Sequence, residues 1–248
     1  MVLIDPRNPN SQFIHDQLAS LVDLSQLPMH VVFGGDGWML ECIRTHDTTI
    51  PFFGVNAGTL GFLMNSTKDL KLVASQLKER QWTQYAFPRL HLVGQSLHGN
   101  HIDGYALNDV YVARIGGVAA NLQLSIDGVS VVDKIICDGL IVATALGSTA
   151  YSSSAGGAPS HALLSGMHIT PICAHTPRLR PFVIPDDATV HINVLSPERR
   201  IVQAVGDGFS YGETREVTIT AQKNSVQLIF LEQHNFTERM VRKILRIP

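Results

Sequence analysis

Short apolar runs alternate with longer mixed stretches over the first third of the chain. The runs "VLI" (2–4), "HVVF" (30–33) and "IPFFGV" (50–55) are strand-like, and at least ten residues separate each pair. That spacing accommodates a helical crossover to a parallel neighbour, so the pattern predicts βαβ units. In "NSTKDLKLVASQLKERQW" (65–82), Ser66 stands three residues ahead of Asp69, a capping-box spacing, and Leu70, Val73 and Leu77 share one helical face. An amphipathic helix packed on a sheet is expected there.

Beyond Pro88 the period changes to two. Leu122, Leu124 and Ile126 alternate with polar residues up to Asp127-Gly128, a hairpin turn signal, and Val129 and Val131 resume the alternation. Val190, Ile192 and Val194 repeat the pattern, as do Val217 and Ile219. The expected organisation is an α/β domain over residues 1–88 and a β-rich domain from 89 to about 225. The segment 226–248 follows, with "FTERMVRKIL" (236–245) spaced as a helix that returns to the first domain.

Composition narrows the class. The 248 residues are 45% apolar and 16% charged, the balance of a folded chain with a real core. Lys and Arg number 19 against 21 Asp and Glu, with no long run of like charge, so no basic stripe for a nucleic-acid backbone is expected. No run approaches the ~18 apolar residues of a membrane span, and "MVLIDPRNPN" does not build a signal-peptide core; a cytoplasmic protein is expected. Cys42, Cys137 and Cys173 lack a C-x-x-C spacing and read as reduced, buried thiols.

The candidate chemistry lies in glycine-rich turns. In "VVFGGDGWML" (31–40) an apolar run meets Asp36 between glycines. Gly34 and Gly35 allow a sharp turn and let backbone N–H groups approach an anion, for which phosphate is the natural candidate. The turn is neither common nucleotide fingerprint: Leu40 stands where a dinucleotide motif needs glycine, and the chain has no Gly-Lys pair for a Walker A loop. From this stretch alone, Asp36 either shapes the turn or does chemistry. A second glycine loop, "GVNAGTLGFL" (54–63), follows the third strand, and the two form candidate walls of one crevice. "LNDV" (107–110) sets Asn108 beside Asp109, either to hold base edges or ribose hydroxyls or as a bonded core pair. "DGLIVATALGSTAYSSSAGGA" (138–158) surrounds Tyr151 with hydroxyls and small residues, offering donors and a stacking face.

In order along the chain, "GGDG" (34–37), "GVNAGTLGFL" (54–63), "LND" (107–109), "DGLIVAT" (138–144), "GSTAY" (147–151) and "SAGG" (154–157) resemble the NAD kinase family. GGDG alone also marks phosphofructokinases and diacylglycerol kinases; the combination with GSTAY and SAGG is far more specific. The resemblance implies a Rossmann-like parallel α/β N-terminal domain and a β-rich, sandwich-like C-terminal domain with the site between them. It also implies ATP- or polyphosphate-dependent phosphorylation of NAD with Mg²⁺, in a homodimer or homotetramer. By position, Asp36 matches the general base for the 2′-hydroxyl. Gly34, Gly35, Gly37, Leu40 and Phe62, of the glycine loops around it, are expected to bind substrate or cofactor. Asn108 and Asp109 match contacts to the adenosine part, and Asp138 with Thr149, Ala150, Tyr151, Ser152, Ser153 and Ser154 lines the rest of the dinucleotide site. Few lysines or arginines stand near the glycine loops, Arg44 being the nearest after Asp36, so Mg²⁺ on the donor phosphates is expected to supply much of the charge neutralisation.

The chain departs from the family pattern at four places. Trp38 replaces a small polar residue, Ala145-Leu146 a Pro-Thr pair, Asp109 a glutamate and Phe209 a glutamine. The GGDG turn, shared between kinase families, keeps open a lipid or sugar kinase, and these departures keep open a dinucleotide-binding sensor with little catalysis. The histidines show no H-E-x-x-H or similar spacing and read as ordinary surface or core residues, with His175 in a stretch similar to the family's "PICPH" as the exception.

Overall fold

The computed structural model describes residues 1–58, 61–232 and 234–245. The chain divides into two compact units, Met1–Phe87 with Asn224–Pro248, and Pro88–Lys223. In chain order the strands are β1 (Val2–Ile4), β2 (His30–Gly34), β3 (Phe52–Asn56), β4 (Trp82–Ser96), β5 (His101–Ala106), β6 (Asp109–Arg114), β7 (Ala120–Ile126), β8 (Val129–Cys137), β9 (Gly139–Thr144), β10 (Met167–Ile172), β11 (Phe182–Ile184), β12 (Thr189–Val194), β13 (Val202–Gly206) and β14 (Phe209–Leu231). The helices are α1 (Pro9–Ala19), α2 (Asp36–Thr45), α3 (Leu70–Glu79), α4 (Tyr151–Ser154) and α5 (Phe236–Leu245).

The first unit is a parallel sheet. Val2 pairs with Val31, Val31 with Phe53 and Phe53 with Ile229 of β14, so the strand order is β1, β2, β3, β14. All five residues of β2 are buried, as a parallel strand covered on both faces requires. Leu18 of α1 and Val73 and Leu77 of α3 pack with Val31, Phe33, Phe53 and Ile229 into one core. Helix α3 starts later than the capping-box spacing implied. Asp69 is its N-cap, its carboxylate accepting from the N–H groups of Lys71 and Leu72, while the Ser66 hydroxyl accepts only from Lys68 at 3.4 Å. A carboxylate one residue before the first helical turn satisfies two orphan donors and wins the cap.

Buried Asn65 ties the end of the second glycine loop to this sheet. Its amide donates to the carbonyls of Gly54 and Ile229, both at 3.0 Å, and its side-chain oxygen accepts from Leu231 N–H at 2.9 Å. Phe236 of α5 sits among Phe62, Tyr85, Phe87 and Phe230, with ring centroids between 5.0 and 6.4 Å away, which docks the helix on the aromatic side of the same unit.

The second unit is antiparallel. One ladder runs β14, β13, β6, β9, β10, β11; another runs β14, β12, β7, β8; β4 pairs with β5. Val110, Val112, Leu140, Val142 and Ile169 from the first ladder share a core with Leu122, Leu124, Val190, Ile192, Val217 and Ile219 from the second, a sandwich arrangement. Asp127 and Gly128 both take positive φ (51° and 77°), the conformation a two-residue hairpin turn demands. The alternation expected of Val129 and Val131 does not carry inward: both are exposed, because the β7–β8 register shifts near Leu124 and turns Val132, Ile135 and Cys137 to the core instead. Cys42 and Cys137 are buried and their thiols are pushed up to about 12 by desolvation, whereas Cys173 is exposed, so only two of the three thiols are internal.

Replacing Asn65 by Leu removes the side-chain partners of the Ile229 carbonyl and the Leu231 N–H in an apolar setting, while the Gly54 carbonyl keeps the backbone N–H of residue 65. We expect a loss of about 2–5 kcal/mol in unfolding free energy, read as a lower urea midpoint at unchanged m-value; an unchanged midpoint overturns the tethering role.

Candidate functional site

In the first unit, β2 ends at Gly34 and α2 begins at Asp36, with Gly35 as an N-cap that has no side chain. The first N–H groups of α2 therefore have neither an intrahelical acceptor nor a side-chain cap, and they carry the positive end of the helix dipole. Gly34 is needed for space: a Cβ there meets Trp38 Cδ1 at 2.8 Å. The indole packs back on the turn, its buried Nε1 has no hydrogen-bond partner, and the Arg7 guanidinium lies 5.3 Å from its ring centroid. Gly37 is exposed and Leu40 half-buried on the same helix.

The Asp36 carboxylate does not point into solvent. It accepts from Phe62 N–H at 2.8 Å through one oxygen and from Leu63 N–H at 2.9 Å through the other. Phe62 thus contributes its backbone, since its ring is buried against Phe236. The neighbouring Gly61 is tight as well, a Cβ there meeting Met64 at 2.7 Å and Asp36 Oδ1 at 3.2 Å. Thr59 and Leu60 of this loop lie outside the described residues. Burial raises the Asp36 pKa above the ordinary carboxylate value; the two amides, then Lys243 and Arg239 of α5, pull it back down. A desolvated carboxylate with one face held and cations nearby is suited to taking a proton.

In the second unit a further Gly-Asp-Gly turn, missed as a site element by the sequence reading, organises the "LND" stretch. Asp207 takes φ 48° between β13 and β14, and its carboxylate accepts from the N–H groups of Leu107 (2.6 Å), Asn108 (2.9 Å) and Asp109 (3.2 Å). The available signal was the repeat of the pattern around Asp36, a carboxylate between glycines after an apolar strand. Burial raises Asp207 to about 6. Asp109 rises to about 7, through burial first and the Asp207 charge second, with the Tyr151 backbone N–H opposing.

The "GSTAY" stretch lies against the same turn. A Cβ on Gly147 meets the Asn108 carbonyl at 2.0 Å, so only glycine permits this approach. The Thr144 hydroxyl donates to the Leu107 carbonyl at 2.8 Å and accepts from Gly147 N–H at 3.0 Å. Tyr151 is exposed, its ring 5.0 Å from Tyr111 and edge-on to it. Of the other implied residues, Asn108, Ala150 and Ser153 are half-buried, Ser154 is exposed and Thr149 is buried. Ser152 is fully buried and shares a 2.8 Å hydrogen bond with Thr170, so its hydroxyl holds α4 to β10. Asp138 is bonded to the Arg114 side chain, with Nε at 2.5 Å, a partner the sequence did not indicate. Ala145 and Leu146 are buried and Phe209 is exposed, its ring 5.2 Å from Tyr211. His168 is buried and bonded to Ser160 at 2.9 Å; His175 is exposed. Among the described residues no group of three or more His, Cys, Asp or Glu is placed to hold a metal, and no helix is long and apolar enough to cross a membrane.

A parallel α/β unit with a glycine turn entering an uncapped helix is an anion-binding arrangement of the kind phosphotransferases use. The comparisons make this specific. Residues 107–231 match the family model described as the ATP-NAD kinase C-terminal domain. An NAD kinase of Zymomonas mobilis is 33% identical over 256 residues, covering all of this chain and 98% of that protein; one from Rhizobium meliloti is 34% identical over 218 residues, covering 85% and 82%. Among solved structures, an Archaeoglobus fulgidus NAD kinase in complex with ATP aligns with TM-score 0.79 and 26% identity, over 100% of this chain and 99% of that one. Yeast NADH kinase complexed with NADH aligns with TM-score 0.78 and 26% identity, over 89% and 66%. The chain belongs to the NAD kinase family, and it is a kinase.

The raised carboxyls of Asp109 and Asp207 set a pH dependence of stability. In the unfolded chain both ionise near pH 4, while in the folded protein they hold their protons to about 7 and about 6. The folded state binds more protons in that window, so stability is highest below it and falls as pH rises through it. Asp109→Asn keeps an acceptor for Tyr151 N–H and removes one charge; the melting temperature of the variant should fall less than wild type between pH 5 and pH 8. Parallel curves overturn this assignment.

Proposed function

We propose that the protein phosphorylates the adenosine 2′-hydroxyl of NAD, with ATP or polyphosphate as donor, and that Asp36 is the general base. The observation that carries the reading is the Asp36 carboxylate itself: desolvated, held by two backbone amides and flanked by cations beside an uncapped helix N-terminus. In the reaction the 2′-oxygen attacks the terminal phosphorus, the bond from that phosphorus to the departing phosphate oxygen breaks, and the hydroxyl proton passes to Asp36. The N–H groups opening α2 receive phosphate oxygens. Asn108, Asp109, Tyr151, Ser153 and Ser154, with Asp138, hold the dinucleotide, while buried Ser152 keeps α4 on β10.

Mg²⁺ fits this site through the donor: such an ion takes most of its ligands from phosphates and water, so it needs no all-protein cage, and among the described residues no cluster of three or more His, Cys, Asp or Glu forms one. When bound it supplies neutralisation of the donor's charge. The charges of Arg239 and Lys243, distant in sequence, act on Asp36 itself. The buried free thiols Cys42 and Cys137 support a reducing, cytoplasmic setting, and exposed apolar residues of the second unit, among them Ile115, Val118 and Leu164, support a homo-oligomer.

The test pairs NAD and NADH with ATP and polyphosphate in Mg²⁺ buffer and measures the 2′-phosphorylated product; none above background with any pair overturns the reading. In Asp36→Asn we expect turnover lower by about 10²–10⁴ while NAD still raises the melting temperature. The variant should also lose about 1–3 kcal/mol of stability, because the amide NH₂ faces one of the two N–H donors and leaves it unpaired. Near-normal turnover would falsify the catalytic role.

A further inference from the structure

We propose that Arg239, on the C-terminal helix, is the positioning residue for Asp36: its guanidinium bonds the Gly61 carbonyl and so fixes the loop whose next two N–H groups grip the carboxylate. The inference rests on Asp36 being the base and adds the element that keeps it in place. Gly61, Phe62 and Leu63 are consecutive, so one peptide run is held from both sides. Arg239 takes its carbonyl end, Asp36 takes its amides, and Asn65 anchors the chain just beyond. The Phe236 cluster seats α5 on the unit and sets where Arg239 reaches.

Arg239 also acts on Asp36 through its charge. The guanidinium is half-buried and its field and that of Asp36 favour each other's ionised forms. The other charged or titratable groups acting here are Lys243, which also favours the Asp36 carboxylate, and Glu238 and Arg242, which act on Arg239 with opposite signs. His234, buried on Phe230 with neither ring nitrogen bonded, is held neutral down to about 3 and so contributes no charge at working pH. With the loop in place, removing the Arg239 charge makes Asp36 harder to ionise, and activity is expected to move to higher pH.

The experiment measures kcat and KM against pH for wild type, Arg239→Gln, Arg239→Lys and Asp36→Asn, with melting temperatures. Arg239→Gln should lose kcat several-fold at neutral pH, recover part of it as pH rises and keep its KM for NAD, with the acid limb displaced upward. Arg239→Lys retains the charge and should keep the limb near the wild-type position. A loss in Arg239→Gln that is the same at all pH values, or an unmoved limb, overturns the positioning role while Asp36 stands. Normal turnover in Asp36→Asn overturns both. If Arg239→Gln does not fold, Arg239→Lys decides: a displaced limb in that variant, despite the conserved charge, overturns the proposal, and a retained limb supports it.

Discussion

A carboxylate taken out of water must be paid in hydrogen bonds, and this constraint shapes both units. Asp36 and Asp207 each sit in a Gly-Asp-Gly turn after a buried strand, and each accepts backbone N–H groups from a segment distant in sequence. An isolated buried charge costs far more than a domain can spare, whereas two or three amides aimed at it offset much of that cost and reduce the freedom of the donor segment. Each turn therefore fixes a loop that it does not adjoin in sequence.

The two roles the sequence left open for Asp36, shaping a turn and doing chemistry, are geometrically compatible. The carboxylate organises the loop 61–63, and the same amides leave a lone pair on each oxygen. For the role proposed for it, burial lifts its proton affinity above the ordinary carboxylate value, and the amides and nearby cations oppose that lift. The glycines around it serve close approach, Gly34 making room for Trp38 and Gly61 for Met64.

In the second unit the counterpart turn presents the peptide groups of residues 107–109, and Gly147 lies on the Asn108 carbonyl so closely that a methyl group has no place. Thr144 and Ser152 spend their hydroxyls on this framework. Residues that look alike in the motif thus divide into exposed Tyr151 and Ser154 and buried Thr149 and Ser152, a division made by the curl of α4 against β10.

Periodicity alone determined the parallel βαβ start, the change to antiparallel strands after Pro88 and the amphipathic helix around Val73 and Leu77, because burial of one face leaves a period of 3.6 or 2 in the chain. The glycine turns were legible for the same local reason, since their conformations exclude most side chains. Tertiary structure decided what no local rule encodes. The cap of α3 passed to Asp69, and the register shift near Leu124 turned Val129 and Val131 outward. Asp138 acquired Arg114, Asp207 acquired three amides, and Arg239 and Lys243 arrived beside a carboxylate some two hundred positions earlier in the sequence. Charge–charge and amide–carboxylate contacts carry no periodic signature: their partners are brought together by the packing of strands and helices, and only the folded chain specifies them.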